Sequence, residues 1–194
     1  IRQGVTTLVG GPDGGSAVDM GAYLARLDTL PLGPNVCFTV GHGSVRREVM
    51  GAEDRAPSPA ELDEMKRLVE RAMIDGAVGI STALKYVPGA YAETEEVIEV
   101  SKVAAAYGGY YTSHLREEGP GLIEAVTEAI RIAEEADIPV NLTHHKAVGK
   151  TMWGASKTTL AMLDSARARG LEITADQYPY PATSTGLRVK FPPW

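Results

Sequence analysis

Two histidines carry the clearest chemical signal in this chain. His114 closes the run Gly108-Gly109-Tyr110-Tyr111-Thr112-Ser113-His114, and His144 closes Ile138-Pro139-Val140-Asn141-Leu142-Thr143-His144. Each follows an apparent strand, each has Ser or Thr before it, and each has a cation two residues on, Arg116 and Lys146. One amphipathic helix separates the two runs. A strand–helix–strand unit of this kind projects both imidazoles from neighbouring strand ends, where they can meet over one metal ion at the mouth of a barrel. Zinc is the expected ion, because neutral imidazole suits it. His145 alternates to the other side of the strand and is expected to pack, or to support a ligand from behind. His42, in Gly41-His42-Gly43 at the end of an earlier strand, is a candidate third site residue.

Other residues near these strand ends could complete a site. Lys85 sits just past the strand that precedes His114; converted to a carbamate by carbon dioxide, it would offer an anionic oxygen to one or two metals. Its alternative is a solvated loop lysine. Tyr86, Arg116 and Lys146 form a further set at the same mouth. A cation there would bind an anionic group, with arginine able to grip a carboxylate through two bonds and tyrosine able to donate to it. Arg116 could instead belong to a surface ion-pair cluster with Glu117 and Glu118. Asp176, in Asp176-Gln177-Tyr178-Pro179-Tyr180, either supports a histidine or caps its turn.

The elements that must position these residues alternate regularly. Strands are expected at Val5–Val9, Val36–Val40, Ala77–Ser81, Tyr110–Ser113, Val140–Thr143 and Ile173–Ala175. Helices are expected at Ala17–Leu27, from Pro59 to about Asp75, from Thr94 through Ala104, at Leu122–Ala136 and at Thr158–Ala168. Ser58 followed by Pro59 is an N-terminal helix signal, and Leu62, Met65, Leu68, Val69 and Met73 recur at helical spacing. Arg46 and Arg47 are read as part of a loop. Strict alternation requires a parallel sheet with crossover helices. A doubly wound sheet and a (β/α)8 barrel both satisfy that. Polar residues after many strands, and no Gly-x-Gly-x-x-Gly after the first, favour the barrel. A whole barrel needs eight strands and about 250 residues. The expectation is therefore an incomplete (β/α)8 TIM barrel of about six β/α units, lacking its first and last strands, within a chain that closes on Phe-Pro-Pro-Trp.

Bulk properties narrow the partners. The chain has 194 residues, 44% apolar and 23% charged, with 25 acidic and 19 basic residues for a formal charge of −6. No basic stripe points to nucleic acid. No apolar run reaches the roughly 18 residues of a membrane span. Cys37 is the single cysteine, so no internal disulfide forms, and a reducing, cytoplasmic setting is the default expectation.

Several segments together resemble the N-acyl-D-amino-acid deacylases of the metal-dependent amidohydrolase superfamily. They are Gly79-Ile80-Ser81-Thr82-Ala83-Leu84-x-Tyr86-x-Pro88-Gly89, Tyr111-x-Ser113-His114-x-Arg116-x-Glu118, Thr143-His144-His145-Lys146-Ala147-x-Gly149, Trp153-Gly154 and Asp176-x-Tyr178-Pro179-Tyr180. They fall in the family's order and cover nearly the whole chain. The resemblance implies a (β/α)8 barrel whose central part is residues 1–194, with a flanking β-sandwich outside them. It implies zinc-dependent hydrolysis of the amide bond of an N-acyl-D-amino acid, giving a carboxylate and a free D-amino acid. His114 and His144 would hold the tightly bound zinc, while Tyr86 and Lys146 would hold the substrate's carboxylate. The family's general-base aspartate would lie beyond Trp194, and its first-strand His-x-His before Ile1.

One departure matters. The family's bridging cysteine follows the first strand, where this chain has Gly10-Gly11-Pro12-Asp13-Gly14-Gly15; Cys37 lies on another strand. A carboxylated Lys85 is the expected replacement ligand, with Asp13 as the weaker alternative. Lysine at position 85 also keeps open a dipeptidase or cyclic-amide hydrolase on the same barrel. A barrel remnant that acts only by association is the non-enzymatic reading.

Overall fold

The computed structural model describes residues 2–180 and 182–187. The closing Phe-Pro-Pro-Trp lies outside the described residues. Among the described residues, seven parallel strands follow in order: β1 (Thr7–Gly10), β2 (Asn35–Phe38), β3 (Val40–Gly41), β4 (Gly79–Ala83), β5 (Tyr110–His114), β6 (Val140–Leu142) and β7 (Ile173–Ala175). The α-helices of the described residues connect them: α1 (Met20–Leu27), α2 (His42–Met50), α3 (Pro59–Ile74), α4 (Thr94–Ala106), α5 (Leu122–Ala136) and α6 (Ser156–Ala168).

β2 and β3 are one strand of the sequence reading, divided at Thr39. The first half pairs with β1 and the second with β4. Thr39 N–H donates to the Gly10 carbonyl at 3.1 Å, and Val78 N–H donates to the Phe38 carbonyl at 2.9 Å, so the ladder continues through the division. The result is six successive parallel strand positions with no reversal of order. A doubly wound sheet would reverse at a switch point; sequential order is that of a barrel wall.

The outer face of this wall is apolar and covered by helices. Ile80, Tyr111, Val140, Leu142 and Ile173 pack with Met65 and Val69 of α3, Val97 and Val100 of α4, Val126 and Ala129 of α5 and Leu163 of α6. α3 starts as its sequence dictates: Ser58 Oγ accepts from Glu61 N–H and the Glu61 carboxylate accepts from Ser58 N–H, a capping box that satisfies two otherwise unpaired donors. The inner face is polar. Register aligns Ser81 with Thr112, Thr112 with Asn141 and Asn141 with Thr174. Thr174 donates to Asn141 at 2.9 Å, and Thr112 bonds Thr143 at 2.6 Å. This polar ladder leads up to His114 at the carboxyl end of β5.

Three expectations are corrected. Arg46 and Arg47 lie on α2, not in a loop: Arg46 is fully buried and its guanidinium is tied to Glu96, a tertiary pairing that local sequence does not display. The strand expected at Ala77–Ser81 runs two residues later. The first helix starts at Met20, because the Asp19 side chain accepts from Ala22 N–H and fixes the start there. No helix among the described residues is long and apolar enough to cross a membrane.

Candidate metal centre

Three side chains converge at the carboxyl-end rim: His114, the last residue of β5, His144, two residues beyond β6, and Asp13, in the loop after β1. His114 Nδ1 and His144 Nε2 are 2.8 Å apart. Asp13 Oδ1 lies 3.6 Å from His144 Nε2 and 4.0 Å from His114 Nδ1.

Each member is held by identifiable local structure. The loop carrying Asp13 is strapped to the sheet. Gly14 N–H donates to Ser81 Oγ at 3.0 Å, Ser81 Oγ donates to the Gly11 carbonyl at 2.5 Å, and Thr39 Oγ1 donates to the same carbonyl at 2.7 Å. Gly14 and Gly41 each admit only glycine here. Gly14 has φ +70° and a Cβ there would stand 2.7 Å from the Ala83 nitrogen; a Cβ on Gly41 would stand 2.4 Å from the Gly14 carbonyl oxygen. The glycine-rich turn thus brings a carboxylate to the rim rather than cradling a phosphate.

His144 has φ +42°, a left-handed conformation that costs a non-glycine residue about 1–2 kcal/mol. Asp176 offsets it. Its Oδ1 accepts the His144 backbone N–H at 2.6 Å, while its Oδ2 accepts from Asn141 at 2.7 Å. A hydrogen bond to a charged group contributes about 1.5–3 kcal/mol, enough to hold the turn. Asp176 therefore supports a histidine through its backbone, not through its ring.

Glu118 flanks the pair on the opposite side from Asp13. Its Oε1 lies 3.2 Å from His144 Nδ1, its Oε2 lies 3.9 Å from His114 Nε2, and Oε1 also accepts from Lys146 Nζ at 2.5 Å. Burial pushes the Glu118 carboxyl up, but the hydrogen bonds from His144 and Lys146 win and hold it below the usual carboxylate range. Burial keeps His114 below the ordinary histidine value, against the pull of Glu118, which favours the neutral ring a metal requires.

The donor set fits a small divalent ion. Neutral imidazole and carboxylate are zinc ligands, and ligands about 2.1 Å from a tetrahedral ion stand about 3.4 Å from one another. The three observed separations bracket that figure. The group borders a cavity of about 880 Å³, also lined by Lys85, Tyr86, Glu117, Lys146, Tyr178 and Thr185.

The remaining sequence candidates divide. Tyr86 lies edge-on to the His114 ring at 5.0 Å, with its hydroxyl bonded to Thr185 Oγ1 at 2.6 Å. Lys146 Nζ stands in the cavity, 2.8 Å from His144 Nδ1 and 5.7 Å from the Tyr178 ring centroid. Lys85 reaches the cavity wall, but its ammonium is paired with the Glu117 carboxylate, and it stands outside the converging group. Arg116 is not brought to the cavity: its guanidinium donates to Glu128 at 2.8 and 3.0 Å and to the carbonyls of Ala90 and Ala92, bridging α5 to the loop before α4. The alternative reading, an ion-pair cluster with Glu117 and Glu118, does not form either; Glu128 is the partner. His42 is wholly buried at the start of α2, with Nε2 2.7 Å from Glu96. His145 packs beneath the rim with Nε2 2.8 Å from Thr159 Oγ1. Glu118 is the site residue that sequence reasoning missed. Its signals are its place four residues after His114 and its position in the family-like segment Tyr111-x-Ser113-His114-x-Arg116-x-Glu118, neither of which assigns it a role.

A parallel β/α wall with converging imidazoles and a carboxylate at its carboxyl-end rim has the layout of a barrel enzyme's site. Known proteins narrow this. No family model matches the chain. It is 42% identical over 166 residues to a D-aminoacylase of Alcaligenes xylosoxydans xylosoxydans, a match that takes in 86% of this chain and 34% of that protein. It superposes on a crystal structure of D-aminoacylase, described as defining a novel subset of amidohydrolases, with a TM-score of 0.87 at 36% identity, covering 92% of this chain and 42% of that one. It also matches, with a TM-score of 0.86 at 36% identity and the same coverage, the N-acyl-D-glutamate deacylase of Bordetella bronchiseptica, solved with zinc and a phosphonate mimic of the tetrahedral intermediate. This segment is thus related in sequence and fold to the N-acyl-D-amino-acid deacylases, and the incomplete amidohydrolase barrel is borne out. The chain spans about a third of the length of the curated relative.

Proposed function

We propose that residues 1–194 are the central part of a catalytic barrel that hydrolyses the amide bond of N-acyl-D-amino acids. In this reading Asp13, His114 and His144 hold a zinc ion, and Asp13 rather than Lys85 fills the place of the family cysteine. The observation that carries it is the convergence of three ligand atoms beside a cavity that also holds a lysine ammonium. Zinc bound there would polarise the amide carbonyl and supply hydroxide near neutral pH.

The chain's own groups supply the rest. Lys146 Nζ lies in the cavity within 2.8 Å of a ring nitrogen of His144, so a substrate carboxylate gripped by Lys146 and the Tyr86 hydroxyl would set its amide beside the histidines. That fixes orientation before chemistry, which lowers the entropic part of the barrier. Tyr86 and Tyr178 also line this cavity. The substrate class, a small N-acylated amino acid, is the one the related deacylases are named for, and pairing a hydrolytic metal with an anion anchor suits it. A cytoplasmic setting belongs to the same proposal and rests on the single cysteine.

The test is a zinc titration of the full-length protein and of its Asp13→Ala variant, followed by assay on N-acetyl-D-amino acids. Tight zinc binding that Asp13→Ala weakens, with hydrolysis of D- but not L-substrates, is the expected result. Zinc affinity unchanged in Asp13→Ala would remove the carboxylate from the ligand set.

A further inference from the structure

Each imidazole of the pair has two nitrogens, and the structure accounts for all four. His114 Nδ1 and His144 Nε2 face each other and Asp13. The outward nitrogens, His114 Nε2 and His144 Nδ1, both face Glu118, one toward each carboxylate oxygen, at 3.9 and 3.2 Å. The glutamate is well placed to serve them: its side chain is 13% exposed, and its backbone carbonyl accepts from Val148 N–H at 2.7 Å, linking the segment after β5 to the segment after β6.

A neutral imidazole carries one N–H. If that proton sits on the inward nitrogen, the ring cannot bind a metal there. If it sits on the outward nitrogen, the inward one is bare. His144 Nδ1 has two competing neighbours. Lys146 Nζ, at 2.8 Å, can only donate, and a donation would put the ring proton on the wrong side. Glu118, at 3.2 Å, can only accept when ionised, and so calls for the proton at Nδ1. Lys146 has other acceptors: Glu118 Oε1 at 2.5 Å and the His144 carbonyl at 3.0 Å. Glu118 thus occupies the ammonium and presents an acceptor to the ring with the same oxygen.

We infer that Glu118 is a positioning residue for the metal centre: its Oε1, 3.2 Å from His144 Nδ1, sets the tautomer of His144, and its Oε2, at 3.9 Å, favours by charge alone the proton on His114 Nε2, leaving His114 Nδ1 and His144 Nε2 free to bind the ion. This rests on the zinc reading given above and goes beyond it, since Glu118 stands outside the three converging ligands. Partners of this kind typically change metal affinity 10–100-fold when removed.

The experiment compares zinc affinity, by competition with a chelator, in the full-length protein and in its Glu118→Gln variant, with circular dichroism as the control for folding. Two-bond ¹H–¹⁵N spectra of the metal-free wild-type protein report the ring tautomers that Glu118 sets before any ion binds, and do not depend on any variant folding. The expected results are a 10–100-fold loss of affinity in folded Glu118→Gln, and spectra showing His144 protonated at Nδ1 and His114 at Nε2. Affinity within twofold of wild type in the folded variant, or the opposite tautomer on either ring, would overturn the inference and leave the zinc site standing. Failure of the wild-type protein to bind zinc at all would overturn both.

Discussion

His42 and His114 occupy similar places in the sequence and different places in the chemistry. Both stand at the end of a parallel strand, and both have a glutamate within reach. His42 is sealed: its Nε2 is bonded to Glu96, which also neutralises Arg46, and all three side chains are at most 2% exposed. His114 is buried on one side only. Its ring borders an open cavity, a second imidazole stands 2.8 Å away, and carboxylates flank it on two sides. A histidine at a strand end is therefore no site by itself. What separates the two is whether a ring nitrogen is left facing space and a second ligand.

This contrast can be broken most forcefully at His144. His144→Ala should abolish tight zinc binding, read by metal analysis after dialysis, while metal-free stability in denaturant changes little. Retained stoichiometric zinc would put the ion elsewhere.

Next in size is the sealed cluster. Glu96→Ala leaves Arg46 buried without its counter-charge and should cost about 3–5 kcal/mol of folding free energy, measured by denaturant unfolding, with zinc affinity unchanged in the folded fraction. A stability change below about 1 kcal/mol would mean that water reaches that cluster and that the contrast is overdrawn.

Lys146→Met should lower kcat/KM for substrates that carry a free carboxylate by about 10–100-fold, the equivalent of one charge-assisted hydrogen bond. The same loss on a substrate whose carboxylate is converted to an amide would argue against anchoring. The smallest effect is expected at Arg116. Arg116→Lys breaks the paired grip on Glu128 and should cost about 1–2 kcal/mol of stability with no change in carboxylate preference. A selective loss of affinity for carboxylate substrates would restore Arg116 to the site.

Much of this was legible in the chain. The alternation of strand and helix, the Ser58-Pro59 helix start and the apolar spacing of α3 and α5 are local signals, and the structure follows them. The histidine pair was legible because both rings follow strands that lie side by side. Asp13, Glu118 and Arg46 were harder, because their meaning is tertiary. Asp13 reaches the rim only because Ser81 and Thr39, 68 and 26 residues away, strap its loop to the sheet. Glu118 reads as one of two neighbouring acids until β6 brings His144 and Lys146 alongside. Arg116 misled for the converse reason: its partner, Glu128, lies 12 residues on, within α5, and nothing local announces the pairing.

The central claim is that Asp13, His114 and His144 hold one divalent ion. Anomalous diffraction at the zinc edge, on crystals of the zinc-loaded protein, tests it most directly. The account predicts a peak about 2.0–2.2 Å from Asp13 Oδ1, His114 Nδ1 and His144 Nε2. A peak bound instead through Lys85, or none among these three residues, would contradict it.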